Sequence, residues 1–198
     1  MWAYIKDNKI EEIIARPKDM VIDDIRHSRR IFTAWSWSEL NAIGIYTVEP
    51  GQKGDNRFET TSNPTYAFDS GNNKVTTTYT TTDKALDDVT ENGNTDKGLK
   101  TLAKNQCKSQ ANELISRFSW LVERSIYDSS KAIPDAVKTY VTAIRKDCND
   151  IETAITNASD MTAFKALYAD TVNSEGVVTQ VNRINRWTSD STVQDYIR

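Results

Sequence analysis

The chain has 198 residues, a length typical of one or two domains, and only 38% of them are hydrophobic while 27% are charged. This composition favours small modules, an elongated shape or burial against partner chains. A net charge of -3, with acids and bases interspersed, gives no electrostatic footprint for nucleic acid. No apolar run reaches the roughly 18 residues that a membrane-spanning helix needs, and early charged residues interrupt any secretion signal.

Residues 1–50 are predicted to form a compact α/β module with one small core. Strand-like residues 2–5 and 9–14 flank Asp7-Asn8, a pair that tolerates the backbone angles of a tight hairpin turn. A second, shorter hairpin is predicted where Met20–Ile22 is followed by Asp23, Asp24 and Ile25. The module therefore begins with β-structure.

A short helix is predicted next, from its capping signal. Ser36-Trp37-Ser38-Glu39 has the spacing of a capping box, in which serine and glutamate satisfy amides of the first helical turn. Gly44 is expected to end the helix, and residues 45–48 return as a strand.

Residues 51–96 are predicted to be a Thr/Asn-rich β segment followed by a linker. Residues 65–69 and 74–82 flank Ser70-Gly71-Asn72-Asn73 and are expected to pair as a hairpin. The six threonines between Thr76 and Thr82 have high strand propensity but little to bury, so we expect another chain to complete this strand. Residues 83–94 are predicted to be an acidic linker.

Residues 97–170 are predicted to form an antiparallel helical hairpin, with a strand-like tail over 171–198. Apolar or small residues recur every three or four positions from Leu99, and a second helix is predicted from Pro134. The second helix carries a heptad seam: Val137, Val141, Ile144, Cys148, Ile151, Ile155 and Ala158. A third short helix is expected over residues 161–168, capped by Ser159 or Asp160. The fold class is therefore α+β.

The pairing register of the two long helices follows from their apolar faces. If they pair about the connection at residues 120–131, residues whose numbers sum to about 255 lie opposite each other, and Cys107 faces Cys148. A disulfide is then possible, but we favour packing of free thiols because a chain made inside a cell meets reducing conditions first.

Candidate chemistry is sparse. His27, with Asp23 and Asp24 nearby, lacks further ligands or a nucleophile, so a surface turn is the favoured interpretation. The acids of residues 83–96 do not follow the EF-hand spacing, which favours a solvated linker over a calcium site. With no phosphate-binding glycine loop and no nucleophile elbow, the sequence predicts no enzyme, catalytic residue, cofactor or metal.

The candidate interaction residues are aromatic or seam residues, because buried aromatics often dominate binding energy. Trp35 and Trp37 cannot both face inward if they begin one short helix, so one is a candidate interface anchor, with partial burial at a module edge as the alternative. The complete set is Trp35, Trp37, Tyr79, Ile144, Ile151 and Trp187.

Two stretches resemble a known family. They span more than half of the chain and contain these residues: Tyr4-Ile5-Lys6, Val21-Ile22, Ile31-Phe32, Trp35-Ser36, Glu39-Leu40, Ala42-Ile43-Gly44-Ile45-Tyr46, Trp120-Leu121-Val122-Glu123-Arg124, Ala132-Ile133-Pro134, Tyr140, Ile144-Arg145 and residues 152–155. The chain resembles small tail or tail-fibre-associated proteins of tailed bacteriophages. It departs from them where Thr188 follows Trp187, since many relatives finish with a Trp-Pro pair.

The resemblance implies a structural component of a tail appendage, in the fibre or baseplate region, that docks through its N-terminal module. It implies other phage tail proteins as partners, a homo-oligomer, synthesis in the host cytoplasm and residence in the virion tail. The alternative is a tail-fibre assembly chaperone, and a tail-associated enzyme is a third class. Neither nucleic acid nor membrane insertion is expected.

Overall fold

The computed structural model describes residues 1–197 and forms two compact units, which meet in sequence between Thr82 and Asp83. Helices make up 38% and strands 25% of the structure, which confirms the predicted α+β class. In the described part of the chain, no helix is both long enough and apolar enough to cross a membrane.

Unit 1 is built around one mixed five-stranded sheet. Its order is β2-β1-β5-β8-β7, in which β1 is antiparallel to β2 and β5, and β8 is parallel to β5 and antiparallel to β7. The elements are β1 (Trp2–Lys6), β2 (Lys9–Ile14), β3 (Met20–Ile22), β4 (Ile25–His27), α1 (Ile31–Ala34), α2 (Trp37–Ala42), β5 (Ile45–Glu49), β6 (Glu59–Thr61), β7 (Thr65–Asp69), β8 (Lys74–Thr78) and β9 (Thr81–Asp83). Strands β3 and β4 pair separately, as do β6 and β9.

Both predicted N-terminal hairpins are confirmed. Asp7 and Asn8 adopt φ values of 51° and 60°, the left-handed region that a tight turn requires. Asp23 and Asp24 do the same between β3 and β4, with φ values of 47° and 63°. Gly44 follows α2 with φ of 80°, which lets the chain reverse from helix into β5.

The sheet of unit 1 buries both faces because side chains alternate along each strand. On one face, Ile14 and Ile45 pack with Phe32 of α1 and Leu40 of α2. On the other face, Val75 packs with residues of both edge strands, including Phe68 of β7. The edge strands β2 and β7 approach each other, so the sheet is curled around this second core.

The prediction that another chain completes the threonine-rich strand is wrong for Lys74–Thr78. This segment is β8, an interior strand paired on one side with β5 and on the other with β7. Val75 is completely buried and anchors β8 in the core. Its burial offsets the low apolar content of the threonines in the same strand. The compositional boundary near residue 50 therefore falls inside one continuous sheet.

Unit 2 is mainly helical. Its elements are β10 (Val89–Glu91), β11 (Asn94–Asp96), α3 (Leu99–Ser116), α4 (Ser119–Tyr127), α5 (Asp135–Asn157), α6 (Met161–Ala166), β12 (Thr171–Val172), β13 (Val178–Gln180) and two 3₁₀ helices, Arg183–Asn185 and Ser191–Tyr196. Asp160, one of the two predicted caps, is the N-cap of α6, and its side chain accepts a hydrogen bond from the Ala163 amide at 2.8 Å.

The predicted antiparallel hairpin of α3 and α5 is confirmed. Cys107 Sγ lies 3.4 Å from Cys148 Sγ, and the rings of Phe118 and Tyr140 meet at 5.6 Å between centroids. The heptad seam of α5 is buried throughout except at Val141, which is half-buried. Opposed apolar stripes on the two helices therefore form the core of unit 2.

Three connecting segments differ from the sequence predictions. The acidic linker contains the β10–β11 hairpin. The connection between the long helices is itself largely helical, as α4. In the tail, β13 ends at Gln180, and the two 3₁₀ helices then bury Ile184 and Val193 near α5. The two 3₁₀ helices are therefore held by contacts with α5 rather than by a periodic pattern of their own.

Candidate functional site

Trp35 and Trp37 flank the residue that caps α2. The Ser36 amide and hydroxyl donate to Glu39 Oε2 at 2.7 and 2.8 Å, and the Glu39 amide donates back to Ser36 Oγ at 3.4 Å. These hydrogen bonds from Ser36 hold the pKa of Glu39 below its usual range. The capping box thus fixes two large indoles that remain 36% and 55% exposed.

The other predicted interaction residues occupy different environments. Tyr79 is half-buried, with Lys53 Nζ 5.3 Å from its ring centroid. Ile144 and Ile151 are completely buried in the α3–α5 core, so they hold the hairpin together and offer no surface to a partner. Trp187 is half-buried, and the next amide, that of Thr188, donates to an Asp147 carboxylate oxygen at 2.6 Å.

The residues around His27 serve the fold of unit 1. His27 meets the Trp35 ring edge-on at 5.6 Å between centroids. Asp23 forms an ion pair with Lys6 at 3.0 Å, and Asp24 lies in the β3–β4 turn. The geometry gives this cluster a clear structural role in a turn.

The acids near the start of α3 also have structural partners. Hydrogen bonds from the Thr101 side chain and the Gly98 amide hold the pKa of Asp88 below its usual range. Asp87 pairs with Lys100 at 3.2 Å. Among residues 1–197, no group of three or more histidine, cysteine or acidic side chains could hold a metal ion.

The cysteines form a buried pair of free thiols. Cys107 is 1% exposed and Cys148 is 8% exposed. Burial, followed by the hydrogen bond to Cys148, raises the pKa of the Cys107 thiol to about 12. At neutral pH this thiol is protonated and therefore a poor nucleophile.

A groove of about 560 Å³, here called the α4 groove, opens where α3 ends and α4 and α5 begin. Phe118 and Val137 are almost fully buried, whereas the other apolar lining residues are partly open to solvent. The apolar lining consists of Ile115, Phe118, Val122, Ile133, Val137 and Val141. Such a concave apolar surface is suited to binding another apolar surface.

Helix α4 is held firmly beside this groove. Leu121 is completely buried, and Trp120 Nε1 donates to the Tyr196 carbonyl at 3.0 Å. The Arg124 guanidinium lies 5.0 Å from the Trp120 ring centroid, within the range of a cation–π contact. These contacts orient the remaining apolar side chains of α4 toward solvent.

The outward side of α4 carries exposed apolar residues. Val122 is 47% exposed and Ile126 is 74% exposed; we call this pair the α4 ridge. They are four residues apart and so share one helical face. Tyr127, at the end of the helix, is 91% exposed.

The sequence predicts only a connection at residues 120–131, so its predictions include neither the α4 groove nor the α4 ridge. One signal could have identified them. Residues 118–127 contain six large apolar or aromatic residues in ten positions, more than one buried face of a short helix can accommodate.

Comparisons of the chain with protein families, with curated proteins and with solved structures found no match.

Proposed function

We propose that this chain is a structural subunit of a bacteriophage tail appendage, in the fibre or baseplate region, and that it works by protein–protein docking. The observation that carries the docking function is the α4 groove with the exposed α4 ridge beside it. Contiguous apolar surface of this kind marks sites of contact with other proteins.

The tail assignment is supported by the resemblance of two stretches to small phage tail proteins. The second stretch contains residues that the docking proposal uses, because residues 120–124 form the first turns of α4. The resemblance and the exposed apolar surface therefore both support a role in assembly.

Quantitative mass spectrometry of gradient-purified virions tests this proposal. A structural subunit is expected at a fixed ratio to the other tail proteins, and that ratio persists through a second purification. A chain absent from virions but bound to a fibre protein in the infected cell would overturn the structural role and assign the chaperone role.

A matched pair of variants tests whether docking uses the α4 ridge. Ile126→Asp places a charge on the ridge, whereas Leu102→Asp alters a residue of α3 that is 50% exposed and lies outside the groove. In virions complemented with each variant, we expect Ile126→Asp to be depleted and Leu102→Asp to be incorporated normally. Equal incorporation of both would refute docking through this surface.

A further inference from the structure

The rim of the α4 groove carries two charges of opposite sign. Glu123 lines the groove from α4, and Arg145 lines it from α5. Within residues 1–197, neither side chain forms an ion pair or a hydrogen bond in the chain itself. The third charged lining residue, Lys138, is already paired with Asp135 at 2.9 Å.

An occupant of the groove therefore has to supply three features. It needs an apolar ridge to cover the lining, a base to meet Glu123, and an acid to meet Arg145. A charge at the edge of an apolar contact sets the orientation of the partner more than it adds affinity. The apolar lining and the two charges thus define the chemistry of the occupant and its orientation in the groove.

The chain itself offers all three features on one short helix and its neighbour. The α4 ridge supplies the apolar surface, Glu123 lies next to Val122 in the same helix, and Arg145 stands across the groove. In a two-fold dimer every contact is made twice, so a surface with a ridge, a groove, one acid and one base can be self-complementary.

We propose that the α4 groove is the interface of a two-fold symmetric dimer, in which the α4 ridge of each copy lies in the groove of the other. Glu123 of one copy then faces Arg145 of the second copy, and the reverse pair forms as well. Val122 belongs to both ridge and groove, so the two-fold axis passes close to it. This inference rests on the proposed docking function and names its partner as a second copy.

Sedimentation equilibrium of the purified full chain tests the dimer. The parent is expected to reach twice the 22.4 kDa mass of one chain as its concentration rises. Ile126→Asp is expected to weaken dimerisation by at least about tenfold, because it removes a central apolar contact and places a charge there. Leu102→Asp is the matched control and should dimerise like the parent. Circular dichroism establishes that both variants are folded.

Charge reversal tests the orientation of the two copies. Glu123→Arg and Arg145→Glu should each weaken the dimer by about 25-fold, because each variant loses two exposed ion pairs, at an upper range of about fivefold for each pair. The double variant restores both pairs with reversed sign, and its dimer should return close to parental strength. A structural role in the monomer alone predicts no such recovery.

Several results would overturn the inference. The parent chain could stay monomeric at the highest concentration, or it could form a trimer. Ile126→Asp could dimerise as strongly as the parent. The double charge variant could dimerise no more strongly than the single variants. The virion measurement is independent of these. A monomer that is still present at a fixed ratio in virions would refute the dimer and leave the tail function standing.

Discussion

Replacing Ile144 by alanine probes the core that holds α3 and α5 together. Ile144 is 0% exposed and lies in the heptad seam of α5. The substitution removes three carbons, worth about 2.4 kcal/mol at roughly 0.8 kcal/mol for each buried methylene. The cavity left behind adds to this, so the expected loss is about 3–4 kcal/mol, within the range measured for such substitutions.

A loss of this size is measurable without abolishing the fold. Domains typically have a free energy of unfolding of about 5–15 kcal/mol, so Ile144→Ala leaves unit 2 folded. With a urea dependence of about 2 kcal/mol per molar, the unfolding midpoint should fall by about 1.5–2 M. The far-ultraviolet circular dichroism signal reports on unit 2, since α1 and α2 of unit 1 have only 4 and 6 residues.

The control is Leu102→Ala, which shortens an exposed side chain of the same hairpin. It should lower the free energy of unfolding by less than about 0.5 kcal/mol. Ile144→Asp extends the series, because an unpaired carboxylate in this core costs several kcal/mol more and should unfold unit 2. A midpoint for Ile144→Ala equal to that of the parent would refute the packing of α3 against α5.

Further predictions concern the thiols, the α2 cap and the sheet. Diamide should join Cys107 to Cys148 within one chain, as read by non-reducing peptide mapping, and the raised pKa of Cys107 should make its alkylation at pH 8 far slower in the folded protein than in urea. Ser36→Ala should destabilise unit 1 by about 1 kcal/mol in urea unfolding, whereas Ser38→Ala should not. Because folding lowers the pKa of Glu39, the ionised side chain stabilises unit 1 at pH values above the usual carboxyl pKa. This stabilisation is lost as pH falls through the lower pKa of the folded state. The difference in unfolding free energy between the parent and Glu39→Gln should therefore become smaller in acid. In hydrogen exchange, the β8 amides should be better protected than those of the exposed β10–β11 hairpin, and equal exchange would contradict the interior position of β8.

The sequence by itself determined those features that depend on neighbours a few residues apart. The capping box at Ser36 and the turn at Asp7-Asn8 follow from local hydrogen bonding and backbone preference. The start of α3 at Leu99 follows from the apolar repeat of the helix. The α3–α5 register, with Cys107 facing Cys148, followed because the repeat of each helix is local and two stripes have few ways to match.

Other features were decided only by the tertiary structure. Threonine-rich β8 has the composition of an edge strand, yet parallel pairing with β5 makes it an interior strand, and nothing local encodes a partner so distant in sequence. The α4 groove likewise depends on Trp120, whose indole is held by the Tyr196 carbonyl 76 residues away. Glu123 and Arg145 are unremarkable in sequence and become opposing charges on one groove only because α4 and α5 meet there. The position of β8 in its sheet and the lining of the α4 groove depend on contacts between residues distant in sequence, which a local sequence pattern does not contain.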